Sequence, residues 1–251
     1  MNKLKVLLLN LWFLPMYMLV NLTVIPLFTL AMVVWRPFTT HRGALRLLRR
    51  LISRYGRCVV AVPWPWSRVE LSGEGWHDHH REPCLFICNH RSSSDPYLMS
   101  FLPCELVQVI NKWPFKLPIL GIVARIAGYL SVREMPPEEF YEHATRLLRD
   151  GCSLVAFPEG TRSGGKAMGA FHGTVFRMAQ LAGVPIVPLC ISGNEQSPPR
   201  GSVAIRPAVV QLRMLPPVRP EDYREMTPFH LKTHVRKLIA AELERMEGPA
   251  Q

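Results

Sequence analysis

Leu85-Phe86-Ile87-Cys88-Asn89-His90-Arg91-Ser92-Ser93-Ser94-Asp95 and Leu154-Val155-Ala156-Phe157-Pro158-Glu159-Gly160-Thr161-Arg162-Ser163 read alike: four apolar residues, then an abrupt polar turn. Short apolar runs closed by turn residues fit strands buried on both faces, as in a parallel sheet. Further runs at Val69–Leu71, Leu106–Ile110, Tyr129–Val132, Ile186–Ile191 and within Val203–Leu215 predict the other strands. Helical patterns at Pro96–Leu102, Leu117–Ala127, Pro137–Arg149, Thr174–Ala182 and Phe229–Glu247 fall between or after them. This alternation predicts an α/β fold with a mostly parallel central sheet flanked by helices. In such sheets, sites collect at the carboxyl ends of strands, which is where both turns fall. The two turns therefore read as one site.

In the first turn, His90 can take a proton from an alcohol near neutral pH. It does so best when a carboxylate holds its other ring nitrogen, and Asp95 could serve. Asp95 could equally cap the helix that opens at Pro96. Ser92, Ser93 and Ser94 are candidate nucleophiles or ordinary turn residues, and no Gly-x-Ser-x-Gly elbow is present. Direct attack by an acceptor hydroxyl is thus the preferred scheme. In the second turn, Gly160 allows close backbone approach, Thr161 offers a hydroxyl and Arg162 a planar fork suited to phosphate. Glu159 can accept from a substrate hydroxyl, although Pro158-Glu159-Gly160 also fits a plain strand-to-helix turn. A proton-abstracting centre beside an anion cradle suits transfer of an acyl group onto a phosphate-bearing alcohol. Lys112 and Arg133, at the ends of predicted strands, could add phosphate contacts or simply be solvated. His77-Asp78-His79-His80 resembles a metal-ligand cluster but has no matching second cluster, so no metal site is assigned. The six cysteines contain no Cys-x-x-Cys pair and read as reduced, mostly buried thiols.

The remaining sequence carries a strong charge asymmetry. Of 30 basic residues, ten precede the first acidic residue, Glu70, and the other 20 nearly balance the 19 acidic ones. Val6–Trp35 has no charge at all. A basic chain raises nucleic acid as a partner. A basic stretch directly after an apolar one instead favours an anionic membrane surface, and no nucleic acid is expected. As one helix, Val6–Trp35 would reach about 45 Å, more than the roughly 30 Å hydrocarbon core. Pro15 and Pro26 divide it, leaving either a kinked spanning helix or a hairpin dipping into one leaflet. Basic residues at both ends favour the hairpin, with the catalytic domain on the cytoplasmic side. Gly43–Tyr55 follows with Leu45, Leu48 and Ile52 on one face and Arg46, Arg49, Arg50 and Arg54 on the other. That is the pattern of a basic amphipathic helix lying on a membrane, or of a core-packing helix with a solvated basic face. Residues 1–60 are accordingly expected to anchor the chain, and residues 61–251 to form the catalytic domain.

NHRSSSD (89–95), GYLSVRE (128–134), FPEGTRS (157–163) and VPIVPL (184–189) together resemble the four sequence blocks of the lysophosphatidic acid acyltransferase family, over roughly residues 80–195. The resemblance implies a membrane-bound enzyme with His90 as general base and Asp95 as its partner. It also implies that Glu159, Gly160, Thr161 and Arg162 hold the acceptor's glycerol phosphate. The acyl donor would be acyl-CoA or acyl-carrier protein, the acceptor a membrane lipid, and no separate cofactor is implied. Two positions depart from the family pattern. Arg133-Glu134 stands where an Asp-Arg pair is common, and His172 where a lysine is frequent.

Overall fold

The computed structural model describes residues 3–78, 82–164, 167–199 and 201–248. Six strands form one sheet: β1 (Arg68–Ser72), β2 (Leu85–Cys88), β3 (Leu106–Val109), β4 (Ser153–Ala156), β5 (Ile186–Ser192) and β6 (Val209–Met214). Their order is β1-β6-β5-β2-β4-β3. All neighbours run parallel except β5 and β6. The helices are α1 (Lys3–Trp35), α2 (His41–Ala61), α3 (Asp95–Leu98), α4 (Pro118–Ala127), α5 (Pro137–Arg149), α6 (Thr174–Ala182), α7 (Pro220–Tyr223) and α8 (Pro228–Glu247).

β2 is apolar along its whole length, and β4 after Ser153, because helices cover both sheet faces. Leu85 and Ile87 point into a core with Leu154, Phe140, Phe176 and Ile239, under α5, α6 and α8. Phe86 and Cys88 point the other way, into a core with Val155, Leu98, Met99 and Leu189. α2 closes over that second side. A Cβ on Gly56 would stand 2.9 Å from Cβ of Ser100, so only glycine lets α2 approach this closely.

The expected strand over Tyr129–Val132 does not form. Leu130 makes a single parallel bridge to Val109, and the backbone then turns, with the N–H groups of Glu134 and Met135 both bonded to Ser131 O.

Two N-terminal expectations change as well. α1 runs unbroken through Pro15 and Pro26, so the hairpin does not form. Each proline removes only one helical hydrogen bond, and no glycine precedes Gly43 to support a reversal. On α2, two of the four arginines expected to face lipid or solvent, Arg46 and Arg49, bond to the protein instead. Arg42, Arg46 and Arg49 converge on Glu105 at 2.6, 3.3 and 2.7 Å. Arg49 is buried, and its Nε donates to Ala127 O at 2.8 Å. Arg50 and Arg54 remain exposed. Glu105, just before β3, explains the reversal, because a poorly solvated carboxylate needs paired cations. These ion pairs tie α2 to the α/β body, across the division expected at residue 60.

Candidate active site

β2 delivers the first turn to the carboxyl edge of the sheet, between β4 and β5. Asn89 continues the pairing with its side chain, donating to Ile191 O at 2.9 Å and accepting from Ile191 N at 2.7 Å. The chain then turns back on the fully buried Asp95. Oδ2 of Asp95 accepts from the backbone N–H of Arg91 (2.6 Å) and Ser92 (2.8 Å), and Nδ1 of His90 lies 2.7 Å from it. Oδ1 accepts from Nδ2 of Asn194 at 2.5 Å. A group meeting donors on every side is an acceptor, so Nδ1 of His90 carries the hydrogen and Nε2 keeps its lone pair. The ring leans on Phe157, centroids 4.7 Å apart. Asp95 thus orients the imidazole and closes the turn behind it, whereas its carboxylate bonds no N–H of the helix that follows, so the capping alternative is not the one realised. The hydroxyls of Ser92 and Ser94 bond to Ser197 O, as turn residues do.

The turn after β4 grips His90 by its backbone. Glu159, buried, accepts from His90 N at 2.7 Å and, with its other oxygen, from Gly169 N at 2.8 Å. Ser163 donates to His90 O through its N–H (2.8 Å) and its hydroxyl (3.1 Å). Both carboxylate oxygens of Glu159 are therefore engaged by backbone N–H groups, one of them that of the histidine, which differs from its expected role as a substrate contact. Gly160 has φ +67°, and a Cβ there would sit 3.3 Å from the His172 ring, so the turn requires glycine. Thr161 is exposed and Arg162 half-buried, and neither side chain has a hydrogen-bond or ion-pair partner among the described residues.

His90, Asp95, Glu159, Gly160, Thr161 and Arg162 are thus gathered between two adjoining turns. Lys112 and Arg133 lie on the same sheet edge but at its β3 end, both exposed. The polar cluster at residues 77–80 includes His79 and His80, which lie outside the described residues. Sequence reasoning missed Asn89 and Asn194. The second had a signal, since Ser192-Gly193-Asn194 also follows a buried apolar strand with a polar turn. It missed a further tie: Arg91 pairs with Glu247 at the end of α8 (2.5 Å), and Ser192 Oγ donates to the same carboxylate at 3.0 Å.

Comparisons with known proteins bear directly on this arrangement. The family model described as Acyltransferase matches residues 69–192, from β1 to the last residue of β5. The 1-acyl-sn-glycerol-3-phosphate acyltransferase of Limnanthes alba is 26% identical over 189 residues, covering 66% of this chain and 67% of that protein. The lyso-ornithine lipid O-acyltransferase of Pseudomonas aeruginosa is 30% identical over 159 residues, covering 61% and 57%. The chain belongs to the lysophosphatidic acid acyltransferase family. In fold it matches the crystal structure of the acyltransferase PlsC from Thermotoga maritima, with a TM-score of 0.77 at 22% identity over 100% of both chains. The region matched to the acyltransferase model contains both turns of the site, whereas α1, α2, β6 and α8 lie outside it.

Proposed function

We propose that this acyltransferase moves a fatty acyl group from acyl-CoA or acyl-carrier protein to the free hydroxyl of 1-acyl-glycerol-3-phosphate, giving phosphatidic acid, with no separate cofactor. The observation that carries the reading is the His90–Asp95 pair at 2.7 Å, locked to the Glu159–Arg162 turn through the backbone of His90. Nε2 of His90 takes the proton of the acceptor hydroxyl as that oxygen attacks the thioester carbonyl. The tetrahedral centre then collapses, the carbon–sulfur bond breaks, and the imidazolium returns the proton to the leaving thiolate. Asp95 stabilises the imidazolium between these steps. Arg162 and Thr161, free of protein partners among the described residues, hold the acceptor phosphate, and Lys112 and Arg133 add positive charge at the same edge.

The acceptor resides in a bilayer, and α1 is long and apolar enough to reach it. Asn10 brackets Ile205 with two hydrogen bonds of 2.8 and 3.0 Å, and Nε1 of Trp12 donates to Val62 O at 2.8 Å. These bonds hold the first half of α1 against the domain. The half beyond Asn21 would reach only about 20 Å, short of a full hydrocarbon core. That supports insertion into one leaflet; the cytoplasmic side is assigned from the basic residues at both ends of the apolar segment.

A second reading keeps the mechanism and changes the acceptor to another lysolipid. It is favoured by Arg133-Glu134 in place of the usual Asp-Arg order, and by the similarity to the lyso-ornithine lipid enzyme. Turnover of purified protein on a panel of lysolipids, followed by mass spectrometry, separates the two. Product from lysophosphatidic acid alone sustains the first reading, and product only from a phosphate-free acceptor replaces it with the second.

A further inference from the structure

α4 is packed inside out. Among its described side chains the buried positions are Gly121, Ala124 and Ala127, three apart. A Cβ on Gly121 would fall 2.3 Å from Phe115 O, so the helix lies tight against the turn before it. Ile122 and Ile126, four apart on the opposite face, are 60 and 56% exposed; Leu120, in the first turn, is 50% exposed and Trp113 in the preceding turn 60%. A soluble helix places such residues inward, and an exposed cluster of them marks an interaction surface.

The charge around this cluster selects the partner. Between Glu105 and Glu134 the chain holds Lys112, Lys116, Arg125 and Arg133 and no acidic residue. Lys112 and Lys116, which flank Trp113 in the chain, and Arg133 are exposed. Tryptophan and aliphatic residues rimmed by cations suit the interface of an anionic bilayer. The position agrees. The segment carrying Trp113 leaves the carboxyl end of β3, on the edge of the sheet that bears the site. The far end of α4 meets α2 at Arg49. α1 and α2 run antiparallel, with Trp12 bonded to Val62 and Asn21 to Tyr55. Arg49 therefore lies at the level of the second half of α1, in which no residue is buried.

We propose that the outer face of α4, with Trp113, is a second membrane-contact surface that continues the apolar surface of α1 to the mouth of the active site. Two points of attachment fix the tilt of the domain, so the turn at Glu159–Arg162 meets lysolipid head groups at their own depth. The proposal rests on the membrane association argued above, and not on the identity of the acceptor.

The test uses the full chain reconstituted in vesicles of zwitterionic lipid with a minor anionic fraction, brominated along the acyl chains. Tryptophan emission of the wild type and of Trp113→Phe is compared with that in unbrominated vesicles, isolating the contribution of Trp113. Quenching of that contribution is expected, and an unquenched Trp113 would overturn the proposal. The triple variant Leu120→Ser/Ile122→Ser/Ile126→Ser provides the functional arm. Its turnover of vesicle-borne acceptor should fall about tenfold, while turnover of a short-chain acceptor dissolved as monomers stays unchanged. Equal rates with vesicles, or equal losses in both assays, would contradict a membrane role. A wild type that sediments as two chains, reduced to one by the triple variant, together with an unquenched Trp113, would assign the face to a second copy. Should the wild type transfer no acyl group to any acceptor offered, the proposed reaction fails while the quenching arm still decides the surface.

Discussion

Replacing Asp95 by Asn removes one buried negative charge and almost no volume. Oδ2 of Asp95 serves three donors, Nδ1 of His90 and the N–H groups of Arg91 and Ser92. An amide oxygen in the same place keeps all three bonds but converts each from charge-assisted to neutral, costing about 1 kcal/mol apiece and about 3 kcal/mol in all. The new amide nitrogen would meet Nδ2 of Asn194, donor against donor. Asn194 can turn its amide over, because Ser94 Oγ already lies within 3.2 Å of Oδ1 and 3.0 Å of Nδ2 and tolerates either. The fold therefore survives. Catalysis does not, because the imidazolium formed during proton transfer loses its counter-charge. The expected fall in kcat is about 10³-fold, or roughly 4 kcal/mol of transition-state stabilisation, with KM within about threefold of wild type. Asp95→Ala is the poorer probe, since it strands two buried N–H groups and threatens folding. The assay is steady-state transfer beside a thermal melt on the same preparation. A folded Asp95→Asn protein that loses less than about tenfold in kcat would refute the reasoning, because Asp95 would then matter only to the turn.

Three other outcomes follow from the same geometry. Glu159→Gln can accept from only one of the two N–H groups now bonded to Glu159, so it should lose about 2 kcal/mol of stability in a denaturant titration and most of its turnover. Unchanged values would mean that the grip on His90 is idle. Arg162→Ala should leave the melting temperature within about 2 °C and raise KM for a phosphate-bearing acceptor more than about tenfold, since its guanidinium is unpaired among the described residues. An unaltered KM would remove Arg162 from the cradle. Glu105 concerns pH. Burial pushes its carboxyl up, but hydrogen bonds from Arg49 and Arg42 outweigh this and hold it below the ordinary 4.5. The stability it contributes is thus complete above that ordinary value, and is lost as pH falls through the lower folded one. Melting curves from about pH 6 to about pH 3 should show the wild type converging on Glu105→Gln in acid, and a constant gap would contradict the pairing.

The sheet was legible because its strands are short, apolar and closed by polar turns. β2 falls on the expected residues, and α5 and α6 match their predicted bounds. The pairing of His90 with Asp95 was legible only as one of two alternatives, because an Asp just before Pro96 reads equally well as a helix cap. What the sequence hid depends on partners distant along the chain. Nothing near Glu159 indicates that its oxygens will meet the N–H groups of His90 and Gly169. Nothing near Arg49 reveals Glu105, so α2 read as a membrane helix when half of its basic face is bonded inward. Leu130 looked like a strand because composition sees its apolar neighbours and not the turn begun by Ser131. α4 shows the same limit in reverse. Its sequence is that of a buried helix, and only the packed fold reveals that its small residues are the ones inside.

The most direct test of the account is transfer by the purified full-length protein from acyl-CoA or acyl-carrier protein to lysophosphatidic acid, with His90→Ala as the paired control. The account predicts a diacyl phosphate product from the wild type and a loss of at least about a hundredfold in a variant that still melts as a folded protein. Near-normal turnover by folded His90→Ala would contradict the assignment of the base, and with it the central claim.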